Sequence, residues 1–305
     1  NGNYCLSCGH DKTVRLWNPN TATLIKTYTG HGYEVLDLAV FAFSLSLSLS
    51  LSLSLSLSFC TVFELFVVRA SDNSKIASCG GDRQIFLWDV ATGKPIRRFQ
   101  GHEARVNCIV SSKDDAVLVS GSYDKTVKVW DCKSRSYSPI QVLDHARDSV
   151  SAVIVTEEEI ITGSVDGCVR TYDIRAGKIK TDSLGQPVTF VSLSNDKNCL
   201  LVSTLDSALR LLDKSSGELL AEYKGHKNDD YKISNCFTNT DSHVISGSED
   251  RNIYIWDLVE GEIVAVLKGH TRGVCSVSYA PLTSAAAPPQ QLLSASLDGT
   301  LKLWC

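Results

Sequence analysis

Apolar and polar residues alternate in short runs along most of the chain, as in "VRLW", "IFLW", "VKVW", "IYIW" and "LKLW". A period of two places successive side chains on opposite faces of a strand. The β-branched and aromatic content of the runs fits the same state. Gly, Asp and Asn bound them, which is turn chemistry. No segment sustains the spacing of an amphipathic helix, so the pattern predicts an all-β chain of many short strands. The exception in length is residues 44–58, where Ser and Leu alternate without a break.

The runs belong to a larger unit with fixed internal spacing. Its copies read "SCGHDKTVRLWN", "SCGGDRQIFLWD", "SGSYDKTVKVWD", "TGSVDGCVRTYD", "VSTLDSALRLLD", "SGSEDRNIYIWD" and "SASLDGTLKLWC". The same offset separates Asp11 from Trp17, Asp82 from Trp88, Asp124 from Trp130, Asp166 from Tyr172, Asp206 from Leu212, Asp250 from Trp256 and Asp298 from Trp304. Most units follow a Gly-His, at His31, His102, His226 and His270. A recurring period of this kind is the mark of a repeat architecture.

These copies resemble the WD40 family, whose units form four-stranded blades around a central channel. The resemblance implies one seven-bladed β-propeller domain spanning residues 1–305. It places the Gly-His in the loop before a blade's first strand and the Asp in the turn between its second and third strands. It also implies a buried network from Trp indole through Ser hydroxyl and His ring to Asp carboxylate. The sets are His102/Ser120/Asp124/Trp130, His226/Ser246/Asp250/Trp256 and His270/Ser294/Asp298/Trp304, with Ser78, Asp82, Trp88, Asp11 and Trp17 at matching positions. Leaving one such group unpaired costs about 1–3 kcal/mol. Ser, His and Asp together also suggest a nucleophilic triad, but catalysis needs one set, and repetition favours structure. The fourth and fifth units carry Tyr172, Gln186, Val202 and Leu212 at network positions, so apolar packing must hold them.

The Asp residues fall about 40 to 48 positions apart, except that Asp11 to Asp82 is about 30 longer. Removing residues 41–69 joins "GYEVLDLAV" to "ASDNSKIASCGGD", a normal blade entry. The segment therefore reads as a foreign low-complexity insertion in the second blade. A TC-dinucleotide tract translates as Ser-Leu, so its expected origin is a retained intron. A membrane helix fits poorly, because Ser at every second position dilutes the hydrophobicity. Residues 280–292 form a Pro/Ala-rich loop. The chain opens within a second strand and closes on a third, which predicts an N-terminally truncated ring lacking its closing strand and first inner strand.

Composition narrows function by exclusion. A net charge of −4 lacks the basic surplus that phosphate binding demands, so direct nucleic-acid contact is not expected. Eleven Cys, without framework spacing and set among apolar residues, fit free thiols in a reducing compartment. Cys5 and Cys8 form a lone CxxC on a strand, where residues three apart face opposite sides, so no metal site is expected. No cofactor-binding loop or catalytic constellation is seen, and the expectation is a non-enzyme without cofactors or membrane contact.

The stretches outside the repeat consensus, such as "VLDHARDSVSAV" and "LLAEYKGHKNDDYKISNC", are similar to one branch of the family. That likeness implies a scaffold for kinase-cascade components that also associates with the spliceosome. It implies protein partners, monomers within larger complexes, and a cytoplasmic and nuclear location. Candidate partner-binding residues beside the Gly-His and Asp loops are Arg105, Tyr123, Arg147, Asp148, Glu249 and Arg272. A rival mechanism is substrate reception for a cullin-type ubiquitin ligase, with Arg175 in "YDIR" as the adaptor contact.

Overall fold

A computed structural model describes residues 4–19, 21–40, 62–67, 74–134, 136–279 and 291–304. They form seven antiparallel sheets arranged as the blades of a propeller, six of four strands and one of three. Each blade's second strand is buried on both faces. Val117–Ser122 and His243–Gly247 are examples, and short turns join them to third strands Val127–Asp131 and Asn252–Asp257. Outer strands such as Pro95–Gln100 and Leu219–Lys224 are mostly exposed. This gradient explains the sequence. Blades stack face to face, so inner positions are apolar or small on both sides, while outer strands keep one polar side.

Seven apolar clusters fill the interfaces between blades. Val106, Ile109, Leu118 and Trp130 of the third blade pack with Ala77, Ile85, Leu87 and Phe99 of the second. Among the described side chains, the junction between the seventh and first blades is built on Cys5, Leu293 and Ala295. Cys5 belongs to that junction and Cys8 to the opposite one, against Val35, Leu38 and Trp88. The two thiols therefore face opposite sides of their strand, and burial pushes Cys5 up to about 12. None of the nine cysteines among the described residues is in a disulfide.

Close approach fixes some small residues. A Cβ on Gly247 would lie 2.4 Å from the Val274 carbonyl oxygen of the next blade. Backbone cannot step aside as a side chain can, so Gly247→Ala is expected to cost about 1–3 kcal/mol. Urea unfolding of that variant checks it.

Residues 41–61 and 68–69 of the expected insertion lie outside the described residues, as do 280–290 of the Pro/Ala-rich loop. Residues 62–67 are described, and they take the inner position that the expected truncation leaves without a strand of its own. Val62–Val67 pairs antiparallel with Cys5–Gly9 and occupies the inner position of the first blade. The physical reason is the open edge of Cys5–Gly9, whose unpaired backbone groups accept a β-prone segment. The seventh blade has three strands, Val274–Tyr279, Leu292–Ser296 and Leu301–Trp304, among the described residues.

Candidate functional site

Each Asp turn is built locally. Asp124 Oδ1 accepts the Thr126 N–H at 3.0 Å, and Lys125 takes a positive φ of 68° at the tip. Ser122 stands two residues before the Asp. Its hydroxyl donates to the Arg105 carbonyl at 2.8 Å, tying the turn to the loop that carries His102. Ser164, Ser248 and Ser296 repeat this bond to Ser149, Lys227 and Gly273. These serines were not singled out in the sequence, although their constant offset from the Asp marks them.

In three blades the Trp–Ser–His–Asp chain is complete. In the third blade Trp130 Nε1 donates to Ser120 Oγ at 2.8 Å. His102 reaches Ser120 through Nε2 and Asp124 through Nδ1, both at 2.8 Å. The second blade matches, with Trp88–Ser78 at 2.7 Å and His31 at 2.6 Å from both Ser78 and Asp82. The seventh matches with Trp304, Ser294, His270 and Asp298. Burial pushes the Asp124 carboxyl up, but the bonds from His102 and Thr126 outweigh it and leave the group below the usual carboxylate range. Asp82 and Asp298 are lowered by the same balance. In the first blade Trp17 Nε1 donates to Ser7, and Asp11 pairs with Arg15 at 2.6 Å.

The sixth blade departs from the expected network, and His226/Ser246/Asp250/Trp256 do not form one. Tyr254 donates its hydroxyl to Asp250 at 2.6 Å, and Trp256 Nε1 turns to the Lys224 carbonyl. Ser246 donates to the Gly247 carbonyl. Both ring nitrogens of His226 are left without a hydrogen-bond partner in a buried position, and burial lowers its pKa to about 4. The cause is the residue four places after the Asp. Where it is Arg or Tyr it takes the carboxylate itself, as Arg15, Arg170, Arg210 and Tyr254 do. Where it is Phe86 the carboxylate is left to His31. Where it is Lys128 or Lys302, the ammonium goes instead to the carbonyl of Gly101 or Gly269.

The upper face, which carries the Asp turns and Gly-His loops, gathers most of the candidate contacts. The Arg105 guanidinium lies 4.9 Å from the centroid of the Tyr123 ring, and Tyr123 is 52% exposed. Arg147, Asp148 and Arg272 are exposed on neighbouring loops. Glu249 is corrected as a contact residue. Its side chain is 8% exposed, and Oε1 accepts the backbone N–H groups of Asp229, Asp230 and Tyr231. It clamps the loop entering the sixth blade. Arg175 lies on the opposite face, exposed, 3.5 Å from Glu158.

Tyr172, in place of Trp, and a three-residue outer strand, Gln141–Leu143, leave a groove of about 810 Å³ between the third and fourth blades. Val129, Leu143, Ile160 and Tyr172 line it.

Seven antiparallel blades with this turn chemistry define a β-propeller of the repeat class. The family model described as "WD domain, G-beta repeat" matches residues 1–18, 66–89, 93–131, 217–257 and 261–305, and the chain belongs to that family. It is 44% identical over 303 residues to the human WD repeat domain-containing protein 83, covering 99% of this chain and 85% of that one. A Dictyostelium discoideum homolog of that protein is 34% identical over 332 residues, covering 99% and 91%. A Schizosaccharomyces pombe relative, named only as an uncharacterized WD repeat-containing protein, is 42% identical over 257 residues, covering 84% and 77%.

Proposed function

We propose that this propeller is a non-catalytic scaffold that assembles other proteins, acting in the cytoplasm and nucleus on kinase-cascade components and on the spliceosome. The likeness of its non-consensus stretches to the mitogen-activated protein kinase organiser supports this choice of partners. One observation carries the scaffold reading. The Ser, His and Asp side chains are spent inside the blades on structure, while Arg105, Tyr123, Arg147 and Arg272 stand exposed on one face. Arg and Tyr in such positions are the residue types that anchor protein interfaces.

The test is affinity capture from cells with the unmodified chain and with Arg105→Ala/Tyr123→Ala/Arg147→Ala. The triple variant is expected to keep its melting temperature and lose most captured protein, with kinases or splicing factors named by mass spectrometry. Unchanged capture overturns the placement of the site. Arg175→Ala is expected to leave capture unchanged. Loss of a ubiquitin-ligase adaptor in that variant would favour the substrate-receptor reading instead.

A further inference from the structure

At four junctions the outer strand of one blade sends a donor onto the turn that follows the next blade's third strand. Lys26 Nζ donates to the Val90 carbonyl at 3.0 Å and also reaches that of Ala91. Arg97 donates to the carbonyls of Asp131 and Ser134. Lys180 reaches those of Lys214 and Ser215 at 2.9 and 3.0 Å. At the fifth-to-sixth junction the Tyr223 hydroxyl donates to the Leu258 carbonyl at 2.7 Å. The pairing registers place these donors at two equivalent positions. Lys26, Arg97 and Lys180 lie opposite the residue before the Trp position, and Tyr223 lies two residues further along its strand.

The third blade has Gln141 and Leu143 at those two positions, opposite Val129 and Val127. Gln141 is exposed and Leu143 has no donor, so the turn they face, at Ile174 and Arg175, takes no such bond among the described residues. Space confirms the difference. A Cβ on Gly93 would lie 2.7 Å from Lys26 Cε, whereas one on its counterpart Gly177 meets no described atom within 4 Å.

The groove of about 810 Å³ opens at this junction, and Gln141 and Gly177 line it. Its volume is that of a ligand site. Ile174 and Ile179 at its mouth are 54% and 41% exposed, so the apolar lining continues onto the surface. Its charges favour a cation. Asp114, Glu157 and Asp173 line it against Lys113 and Lys178, and Glu157 holds Lys113 at 2.6 Å. The Ile174 and Arg175 carbonyls add acceptors next to Asp173.

We propose that this groove docks an extended segment of another protein that carries Lys or Arg next to an apolar residue. The basic side chain takes the carbonyls of Ile174 and Arg175, which stand at the same offsets as those held by Lys26 and Lys180. A charged donor makes the stronger hydrogen bond, so this residue anchors the segment. The apolar neighbour lies on Val129, Leu143 and Tyr172, adding the bulk that Phe99 supplies at the preceding junction. Gln141 and Leu143 bring neither the cation nor the ring, so the occupant comes from outside the blade. None of Arg105, Tyr123, Arg147 and Arg272 lines the groove, so the inference does not rest on the upper face.

The experiment selects a displayed library of random twelve-residue peptides against the full chain and against Gln141→Lys, which supplies the cap internally. Peptides enriched on the unmodified chain alone are expected to carry Lys or Arg beside an apolar residue. Fluorescence anisotropy of one such peptide should show binding about tenfold or more weaker to Gln141→Lys, and similarly weaker when its basic residue is replaced by Gln. No peptide that separates the two chains, or separating peptides without a basic residue, overturns the proposal. If Gln141→Lys does not fold, Leu143→Tyr, which copies Tyr223, carries the same comparison with the same outcomes decisive.

Discussion

Trp130→Ala is expected to lower the stability of the ring by about 3–5 kcal/mol, the range for emptying a buried aromatic site. Trp130 is 1% exposed and sits in the apolar cluster joining the second and third blades. Its ring packs 5.6 Å from Phe99 and 5.9 Å from His102, so truncation opens a void between two sheets rather than within one. Its indole N–H also holds Ser120, which orients His102 toward Asp124. Trp130→Phe keeps most of the apolar contact and removes only that donor, so its expected cost is about 1–3 kcal/mol. Urea unfolding of both variants separates the two contributions. Equal losses would show that the hydrogen-bonded chain, not the packing, dominates. Trp304, which packs at the junction between the sixth and seventh blades, is only partly buried, and its truncation should cost less.

The second large effect is a loss of stability on mild acidification, traced to His226. Burial holds its pKa near 4 against an ordinary value of 6.5, despite the opposing pull of Asp250, Asp206, Asp229 and Glu249. A histidine lowered in the folded state favours the neutral form there. Its contribution is therefore complete above pH 6.5 and is lost as the pH falls from 6.5 toward 4. A shift of this size corresponds to about 3 kcal/mol. His270 is lowered in the same direction by burial, although Asp298 opposes it. Asp82, Asp124 and Asp298 behave differently. Their lowered carboxyls stabilise the ring above the ordinary carboxylate range, and that support is lost as the pH falls through their folded values. Acid unfolding should thus begin with the histidines and finish with the carboxylates. The check is the urea midpoint at pH 7.5, 5.5 and 4.5 for the unmodified chain and His226→Phe. The variant should show a shallower decline between pH 6.5 and 4, and an unchanged slope would remove His226 from the account.

The His226 case also shows why equivalent sequences do not give equivalent sites. Four residues at the right offsets suffice to place His226, Ser246, Asp250 and Trp256 in one blade. They do not decide which donor Asp250 accepts. Tyr254 is four residues from Asp250 on the same hairpin, so its hydroxyl reaches the carboxylate with no loop to order. His226 must be brought in from a separate loop, and that loop is pinned elsewhere by Glu249. The competing residue is visible in the sequence, but its victory depends on reach and on the loop's other bonds. Glu249 itself reads as an exposed turn residue until the loop it clamps is seen folded against it.

The repeat alone determined the architecture of this protein. Fixed offsets between Asp and Trp, period-two runs and turn residues are local properties, and each blade's hairpins form from neighbouring residues. That is why the seven sheets, the His31, His102 and His270 networks and the opposed faces of Cys5 and Cys8 are legible in one dimension. Only the tertiary structure decided the rest. It chose Tyr254 over His226 as partner of Asp250, buried Glu249, and seated residues 62–67 beside Cys5–Gly9. Each of these is a contest between groups distant in the chain for one acceptor, one cavity or one open edge. Such contests are settled by distance and burial in three dimensions, which spacing along the sequence does not encode.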